Sequence, residues 1–125
     1  MIYLLDVSAI VALLWQGHPD NVLAESWAAG KQLAACPITE LGFLRVVTSP
    51  AFNATMEDAR EVLASWLAEA KPQFIPADLR ALDGPPAPTS AKTTDWYLAN
   101  LAEKNGMKWA TLDKRAKHPA SQPVL

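Results

Sequence analysis

The 125-residue sequence has little cysteine and little histidine: Cys36 is the single cysteine, and His18 and His118 are the two histidines. One cysteine cannot form an internal disulfide, and no second cysteine stands at the spacing of a metal-binding pair. A dedicated zinc site, which uses clusters of these residues, is therefore not expected. A lone cysteine suits a reducing compartment, and we expect the protein to work in the cytoplasm.

The sequence also lacks a long hydrophobic run. The longest uncharged apolar stretch near the N-terminus, residues 7–15, is much shorter than the roughly 20 residues that a membrane-spanning helix needs. Asp6 and the absence of basic residues before it argue against a signal peptide. We therefore expect no membrane association.

Charge of one sign does not dominate the chain, whose formal net charge is -2. Any binding to a polyanion must therefore be local. Residues 1–103 contain six Lys/Arg and twelve Asp/Glu, a net charge of -6, whereas residues 104–125 contain five Lys/Arg and one Asp, a net charge of +4. The basic C-terminal segment is either a solvated tail or a site for an anionic partner.

What is present is the composition of a folded globular protein, half hydrophobic and 19% charged. The length suits one domain over residues 1–125. Apolar runs predict strands at residues 2–5, 32–36 and 107–112, with weaker candidates at 73–75 and in the tail. Helical patterns lie between these runs. The alternation predicts an α/β fold, a three-layer α/β/α sandwich with a central parallel sheet of four to five strands.

Polar residues and prolines predict where the helices begin. The expected N-caps are Ser8, Asp20, and either Thr93 or Thr94, and Thr55 and Glu57 are expected to begin another helix. Pro37 suits the first turn of a further helix, because its missing N–H group is not needed there. Residues 83–92, DGPPAPTSAK, predict an irregular loop.

Four acidic residues stand out from this pattern. Asp6 and Asp113 each follow a buried strand, at the sheet edge where sites form in α/β proteins. Glu40 and Asp95 each begin an apolar helical stripe, so their side chains lie on inward-turned helix faces. The other acids of the helices, such as Glu57, Asp58, Glu61 and Glu69, occupy positions compatible with solvent.

Gathered carboxylates need a compensating charge, because two of them about 4 Å apart repel by roughly 4 kcal/mol at an effective dielectric of about 20. A divalent cation between the carboxylates, or raised pKa values, reduces this repulsion. Ligands that are all oxygen favour Mg²⁺ or Mn²⁺. Such an ion activates water and stabilises the charge that develops on a phosphodiester. The predicted reaction is phosphodiester hydrolysis.

Each acid also has a purely structural interpretation. Asp6 and Asp113 suit a turn or a helix cap. Glu40 and Asp95 suit the first turn of a helix, where the helix dipole favours negative charge. The placement of all four at strand ends and helix starts favours a shared site.

Three segments in this order, IYLLDVSAI, CPITELGFLRVV and TTDWYLANLAEKNGMKWATLD, resemble the PIN-domain ribonucleases, most closely the VapC-type toxins of bacterial toxin–antitoxin pairs. The resemblance extends from residue 1 to about residue 118. It rests mainly on the blocks TEL-x-x-x-R and TD-x-Y-L-x-x-L-A. Carried over by position, the family's metal-binding catalytic site falls on Asp6, Glu40, Asp95 and Asp113, and implies cleavage of RNA with Mg²⁺ or Mn²⁺.

The resemblance implies further roles. Ser8 and Thr111 match hydroxyl positions whose side chains hydrogen-bond a carboxylate or a metal-bound water. Val7 departs from the pattern, because the family often has Thr or Ser there, which removes one supporting hydrogen bond. The resemblance also implies a homodimer, held inactive by a cognate antitoxin whose amphipathic segment lies in an apolar groove.

Several other residues have more than one interpretation. The candidates for RNA contact are Arg45, Lys114, Arg115 and Lys117, with Lys92 as a weaker one. An ordinary ion pair is the alternative for Arg45. We expect both histidines to be solvated loop residues rather than general bases. The tryptophans are expected to pack in the core or at an interface: Trp15, Trp27, Trp66, Trp96 and Trp109.

Two other functions compete with the nuclease. One is a Mg²⁺-binding, receiver-like phosphoacceptor module, which predicts an acidic neighbour for Asp6 and an aspartate at the end of a middle strand. The sequence has neither feature, since residues 73–76 read QFIP. The other is a catalytically silent PIN scaffold, against which the presence of all four acids argues.

Overall fold

A computed structural model describes residues 1–125. Its five strands are β1 Ile2–Leu5, β2 Gln32–Ala35, β3 Gln73–Phe74, β4 Lys108–Thr111 and β5 Ser121–Pro123. They form one sheet in the order β3-β2-β1-β4-β5, and every neighbouring pair is parallel. The central strands β1 and β4 are adjacent, so the residues that follow them meet at one edge.

Helices cover both faces of this sheet. They are α1 Val7–Leu14, α2 Asn21–Ala28, α3 Pro37–Val47, α4 Met56–Ala70 and α5 Thr93–Lys104, with a 3₁₀ turn at Ser90–Lys92. Helices α1 to α4 share one hydrophobic core, and α5 packs in a second core on the opposite face. The predicted three-layer α/β/α sandwich with a parallel sheet is therefore confirmed. None of the helices is both long and apolar enough to cross a membrane.

The two cores explain the apolar run of β1. Leu4 and Leu5 are both fully buried, but they point to opposite faces. Leu5 packs with Ile10 and Phe43, whereas Leu4 packs with Leu98 of α5. Burying each leucine stabilises the fold by about 2 kcal/mol, so a shift of register would be costly. This packing fixes the point at which the chain leaves the sheet, directly before Asp6.

The start of α1 differs from the prediction. Helix α1 begins at Val7, with Asp6 in extended conformation at the N-cap position, so the prediction that Ser8 caps this helix is wrong. Ser8 lies in the first turn, and its hydroxyl donates a hydrogen bond to the Asp6 carboxylate. The hydroxyl therefore binds the acid at the strand end instead of a free backbone N–H group.

The other helix starts give mixed outcomes. Pro37 is the first residue of α3, as predicted, and Thr55 caps α4 by accepting a hydrogen bond of 3.1 Å from the Asp58 N–H group. Asp20 holds the N-cap position of α2, but its side chain makes no capping hydrogen bond. Lys92 holds the N-cap position of α5, so the predicted caps Thr93 and Thr94 are wrong.

A close helix crossing places α3 beside α1. A Cβ atom at Gly42 would overlap the Val7 side chain, so only glycine permits this approach. Val7 therefore packs against α3 at the position where the family often has a hydroxyl residue. The crossing brings the first turn of α3, with Glu40, close to the carboxyl edge of β1.

Candidate active site

Asp6 is the most deeply buried acid of the chain, with 4% of its surface exposed. Its Oδ2 atom accepts hydrogen bonds from Ser8 Oγ at 2.7 Å and from Thr111 Oγ1 at 3.2 Å. Its Oδ1 atom is buried and has no hydrogen-bond partner. A buried carboxylate oxygen without a partner is costly, so this atom is suited to bind a cation.

The two hydroxyl groups also tie Asp6 to the segment after β4. Ser8 Oγ accepts a hydrogen bond of 3.2 Å from the Leu112 N–H group, and Thr111 Oγ1 accepts one of 3.1 Å from the Asp113 N–H group. Both hydroxyls thus donate to Asp6, and both accept from backbone N–H groups at or next to Asp113. The relative positions of Asp6 and Asp113 are set through these bonds.

Asp113 and Asp95 face a lysine. Lys92 Nζ lies 2.9 Å from Asp113 Oδ2 and 3.9 Å from Asp95 Oδ2. Asp113 Oδ1 also accepts a hydrogen bond of 2.9 Å from the Arg115 N–H group. Asp95 lies in the first turn of α5, so this helix and the end of β4 bring the two carboxylates together.

The pKa values show that three of the acids share one electrostatic field. Burial, and then the negative charges of Asp6 and Asp113, raise the pKa of Asp95 to about 6, against the effect of Lys92. The hydrogen bond from Lys92 and the Arg115 N–H group lower the pKa of Asp113. The same contact with Asp113 raises the pKa of Lys92. Asp95 therefore lies within reach of three other charges, those of Asp6, Asp113 and Lys92.

Glu40 lies apart from this group. Burial alone raises its pKa, and it makes no hydrogen bond or ion pair with another acid of the site. Its side chain lines a cleft of about 400 Å³ between α3 and α4, where Arg60 is also present. Buried Thr39, one residue earlier, anchors the first turn of α3 by donating to the Leu5 carbonyl at 2.9 Å.

The donor set suits a hard divalent cation. All candidate ligands are carboxylates, and the unpartnered Oδ1 of Asp6 is an open acceptor among them. No three acidic, histidine or cysteine side chains of the chain converge closely enough to hold an ion by themselves. Mg²⁺ keeps several water ligands and commonly uses one or two carboxylates, so the residues still fit such an ion.

Comparison with known proteins identifies the family of the chain. A family model described as PIN domain matches residues 3–121. The chain belongs to the PIN-domain family. The receiver-like alternative therefore has no support.

Curated relatives of this PIN domain come from Mycobacterium tuberculosis. Ribonuclease VapC38 of strain ATCC 25618 / H37Rv is 34% identical over 118 residues, which are 88% of this chain and 84% of the relative. Ribonuclease VapC44 of strain CDC 1551 / Oshkosh is 30% identical over 121 residues, 89% and 85% of the two chains. Ribonuclease VapC29 of the same strain is 28% identical over 122 residues, 94% and 90% of the two. This PIN domain is thus similar to VapC-type ribonucleases over most of its length.

Three basic residues follow Asp113 in the chain. Lys114, Arg115 and Lys117 are exposed and make no ion pair, and the charge of Arg115 contributes to the lowered pKa of Asp113. Arg45 is exposed in the last turn of α3 and also makes no ion pair, so its structural alternative is not found. Its contact with RNA stays a prediction.

The expectation of two solvated histidines is wrong for His118, which is 3% exposed. Its Nδ1 atom accepts from the Ala120 N–H group at 3.0 Å, so its Nε2–H group donates to Asn100 Oδ1 at 2.7 Å. His18 is half-buried, accepts from the Asp20 N–H group at 2.9 Å and stacks on Phe52. Neither histidine contacts an acid of the site.

The tryptophans pack as expected. Trp109 is fully buried, and the other four are half-buried. Trp15 and Trp66 line a cleft between the end of α1 and α4. Thr39 and Asn100 were not predicted to have a role. Each is a polar residue on an otherwise apolar helix face, and this pattern could have indicated that their side chains make buried hydrogen bonds.

Proposed function

We propose that this chain is a metal-dependent ribonuclease of the VapC type, the toxin of a toxin–antitoxin pair, which hydrolyses RNA phosphodiester bonds in the cytoplasm. The observation that carries the proposal is the grouping of Asp6, Asp95 and Asp113 at the carboxyl edge of β1 and β4, with one buried Asp6 oxygen left unpartnered. The ribonuclease names of its relatives support the same reaction.

The candidate metal ligands are Asp6, Asp95, Asp113 and Glu40, of which one or two would bind the ion directly. When bound, Mg²⁺ or Mn²⁺ supplies positive charge beside the phosphodiester and a water molecule of lowered pKa. Ser8 and Thr111 fix the orientation of the Asp6 carboxylate through their hydrogen bonds. The Arg115 N–H group holds the Asp113 carboxylate in the same way.

The unpaired basic residues position the RNA substrate. Lys114, Arg115 and Lys117 follow Asp113 directly and are exposed, so they contact the phosphates on either side of the bond that is cut. Arg45 adds a further contact along α3. These contacts position RNA without selecting its sequence.

The cleft between the end of α1 and α4 suits the antitoxin. Its volume is about 950 Å³, and its floor contains Trp15, Val62 and Trp66. Its rim carries the acids Glu25, Asp58, Glu61 and Glu69. An amphipathic segment with an apolar face and basic flanks would match both features.

A homodimer would use other surfaces. Val22 and Leu23 of α2 expose 75% and 57% of their surface, which is unusual for neighbouring large apolar residues. Sedimentation of the purified chain measures whether it dimerises, and a Val22→Glu variant that stays monomeric would assign the contact.

Cleavage of labelled RNAs in Mg²⁺, in Mn²⁺ or with EDTA tests the function. The Asp6→Asn and Asp95→Asn variants should cut about 100-fold more slowly or not at all, and EDTA should stop the wild type. Glu57→Gln is the matched control, because Glu57 is an exposed helix acid outside the site. Equal cutting by all variants would show that the activity lies elsewhere, and binding of RNA without cutting would indicate a silent scaffold.

A further inference from the structure

Lys92 has an unusual place among the basic residues. Its ammonium group lies against both Asp113 and Asp95, at 2.9 and 3.9 Å. No other lysine or arginine makes an ion pair with an acid of the site. Lys92 is therefore the one positively charged side chain that contacts the acids of the site.

We infer that Lys92 competes with the divalent cation: it neutralises Asp95 and Asp113 in the metal-free protein, and it must leave them before the metal ion binds. The inference rests on the proposed function. An ammonium group and a divalent cation repel strongly at a few ångströms, so they cannot both bind the same two carboxylates favourably. Lys92 therefore lowers the affinity of the site for metal.

The contacts of Lys92 allow it to leave. Its side chain is 38% exposed and makes no contact with an acid other than these two. Its backbone N–H group stays bound to the Thr89 carbonyl at 3.1 Å, so the start of α5 need not move. A lysine side chain has four rotatable bonds and can reach solvent from this position.

The carboxylates would keep their places after Lys92 has left. Asp113 retains its hydrogen bond from the Arg115 N–H group, and Asp6 retains both hydroxyl donors. Metal binding therefore exchanges one cation for another without rebuilding the site.

Mn²⁺ binding to the full chain, measured from the electron paramagnetic resonance signal of free Mn²⁺, tests this exchange. Lys92→Met removes the charge and keeps the length of the side chain, so it should lower the dissociation constant for Mn²⁺ by about tenfold. Lys92→Arg should bind as the wild type does. The matched control is Lys104→Met, which removes an ion-paired lysine at the other end of α5, where Lys104 contacts Asp78.

Each other outcome overturns the inference. Unchanged or weaker Mn²⁺ binding by Lys92→Met would mean that Lys92 does not compete or that it organises the carboxylates. An equal gain in Mn²⁺ affinity in Lys104→Met would mean that the effect comes only from the net charge of the protein. If the wild type and all variants bind no Mn²⁺, the proposed metal-dependent function fails as well, whereas identical binding in all of them removes only the role of Lys92. Lys92→Gln replaces Lys92→Met if the latter does not show cooperative thermal unfolding.

Discussion

The two strand-end aspartates of the site are held in opposite ways. Asp6 is buried, receives two hydroxyl hydrogen bonds and contacts no cation. Asp113 is partly exposed and is held by a flexible lysine and a backbone amide. The first is fixed by the packed core, whereas the second is held largely by a side chain that can move.

This difference assigns separate tasks to the two halves of the site. The inner half, with Asp6, Ser8 and Thr111, fixes a place for a cation because its hydrogen bonds are set by β1 and β4. The outer half, with Asp95, Asp113 and Lys92, sets how strongly a cation is bound, because its charges already balance one another in part. The following variants test whether the halves are as different as their contacts indicate.

The largest effect is expected from the hydroxyl of the inner half. Thr111→Val should lower the free energy of unfolding by about 2 kcal/mol, because it removes a donor to Asp6 and an acceptor for the Asp113 N–H group. Cleavage should also slow, by about 10- to 100-fold. Chemical denaturation measures the first effect, with exposed Thr94→Val as the control. Equal stability of the two variants would show that the inner half is not held by this hydroxyl.

A second pair of variants compares the two aspartates directly. Asp6→Asn should raise the stability of the metal-free protein by about 1 kcal/mol, because it removes a buried charge that has no cation. Asp113→Asn should lower it slightly, by less than about 1 kcal/mol, because it weakens a partly exposed ion pair. Both should lose cleavage. Thermal unfolding in EDTA measures the signs, and two changes of the same sign would contradict the distinction between the halves.

Much of this architecture was predictable because local patterns and packing agree. The apolar runs of β1 and β4 are buried on both faces, which made them visible in the sequence and placed Asp6 and Asp113 at one edge. Glu40 and Asp95 were found by helical periodicity, since each begins a stripe that the structure buries. The sequence left open whether its proline-bearing tail forms a last strand, and the structure has the short strand β5 there.

The parts that escaped prediction depend on contacts between distant segments. His118 lies in a polar, proline-bearing tail, and only its fit against Asn100 of α5 buries it. Lys92 stands in a loop whose composition says nothing of where the ammonium group rests. Glu40 was predicted with the other acids, but the turn of α3 directs it to a cleft beside α4. Helical periodicity indicates on which face of a helix a residue lies, but it does not indicate which residue of another element its side chain contacts.

Asp95 reports on both halves, because its pKa of about 6 depends on Asp6 and on Lys92. Asp6→Asn should lower this pKa by removing a negative charge, and Lys92→Met should raise it by removing a positive one. Carboxyl ¹³C chemical shifts measured against pH give the midpoint. Because the folded pKa exceeds the ordinary value of 3.8, Asp95 favours the folded state increasingly as the pH falls from 6 toward 4. Variants that move the midpoint in the same direction would show that Asp95 does not lie between opposite charges.

The smallest effect is expected at the anchor of the outer half. Asn100 Nδ2 donates to the carbonyls of Asp83 and Pro85, so the contact of Asn100 with His118 holds the start of the loop that carries Lys92. Burial lowers the pKa of His118 below 6.5, although Glu103 at 3.9 Å opposes the shift. The unfolded chain then takes up a proton first as the pH falls, so this anchor stabilises the fold fully above pH 6.5 and is lost as the pH passes below the lowered pKa. In thermal unfolding between pH 7 and about pH 5, His118→Gln should abolish this loss of stability and keep the gain of stability due to Asp95. If the variant has the same pH profile as the wild type, His118 does not cause the loss.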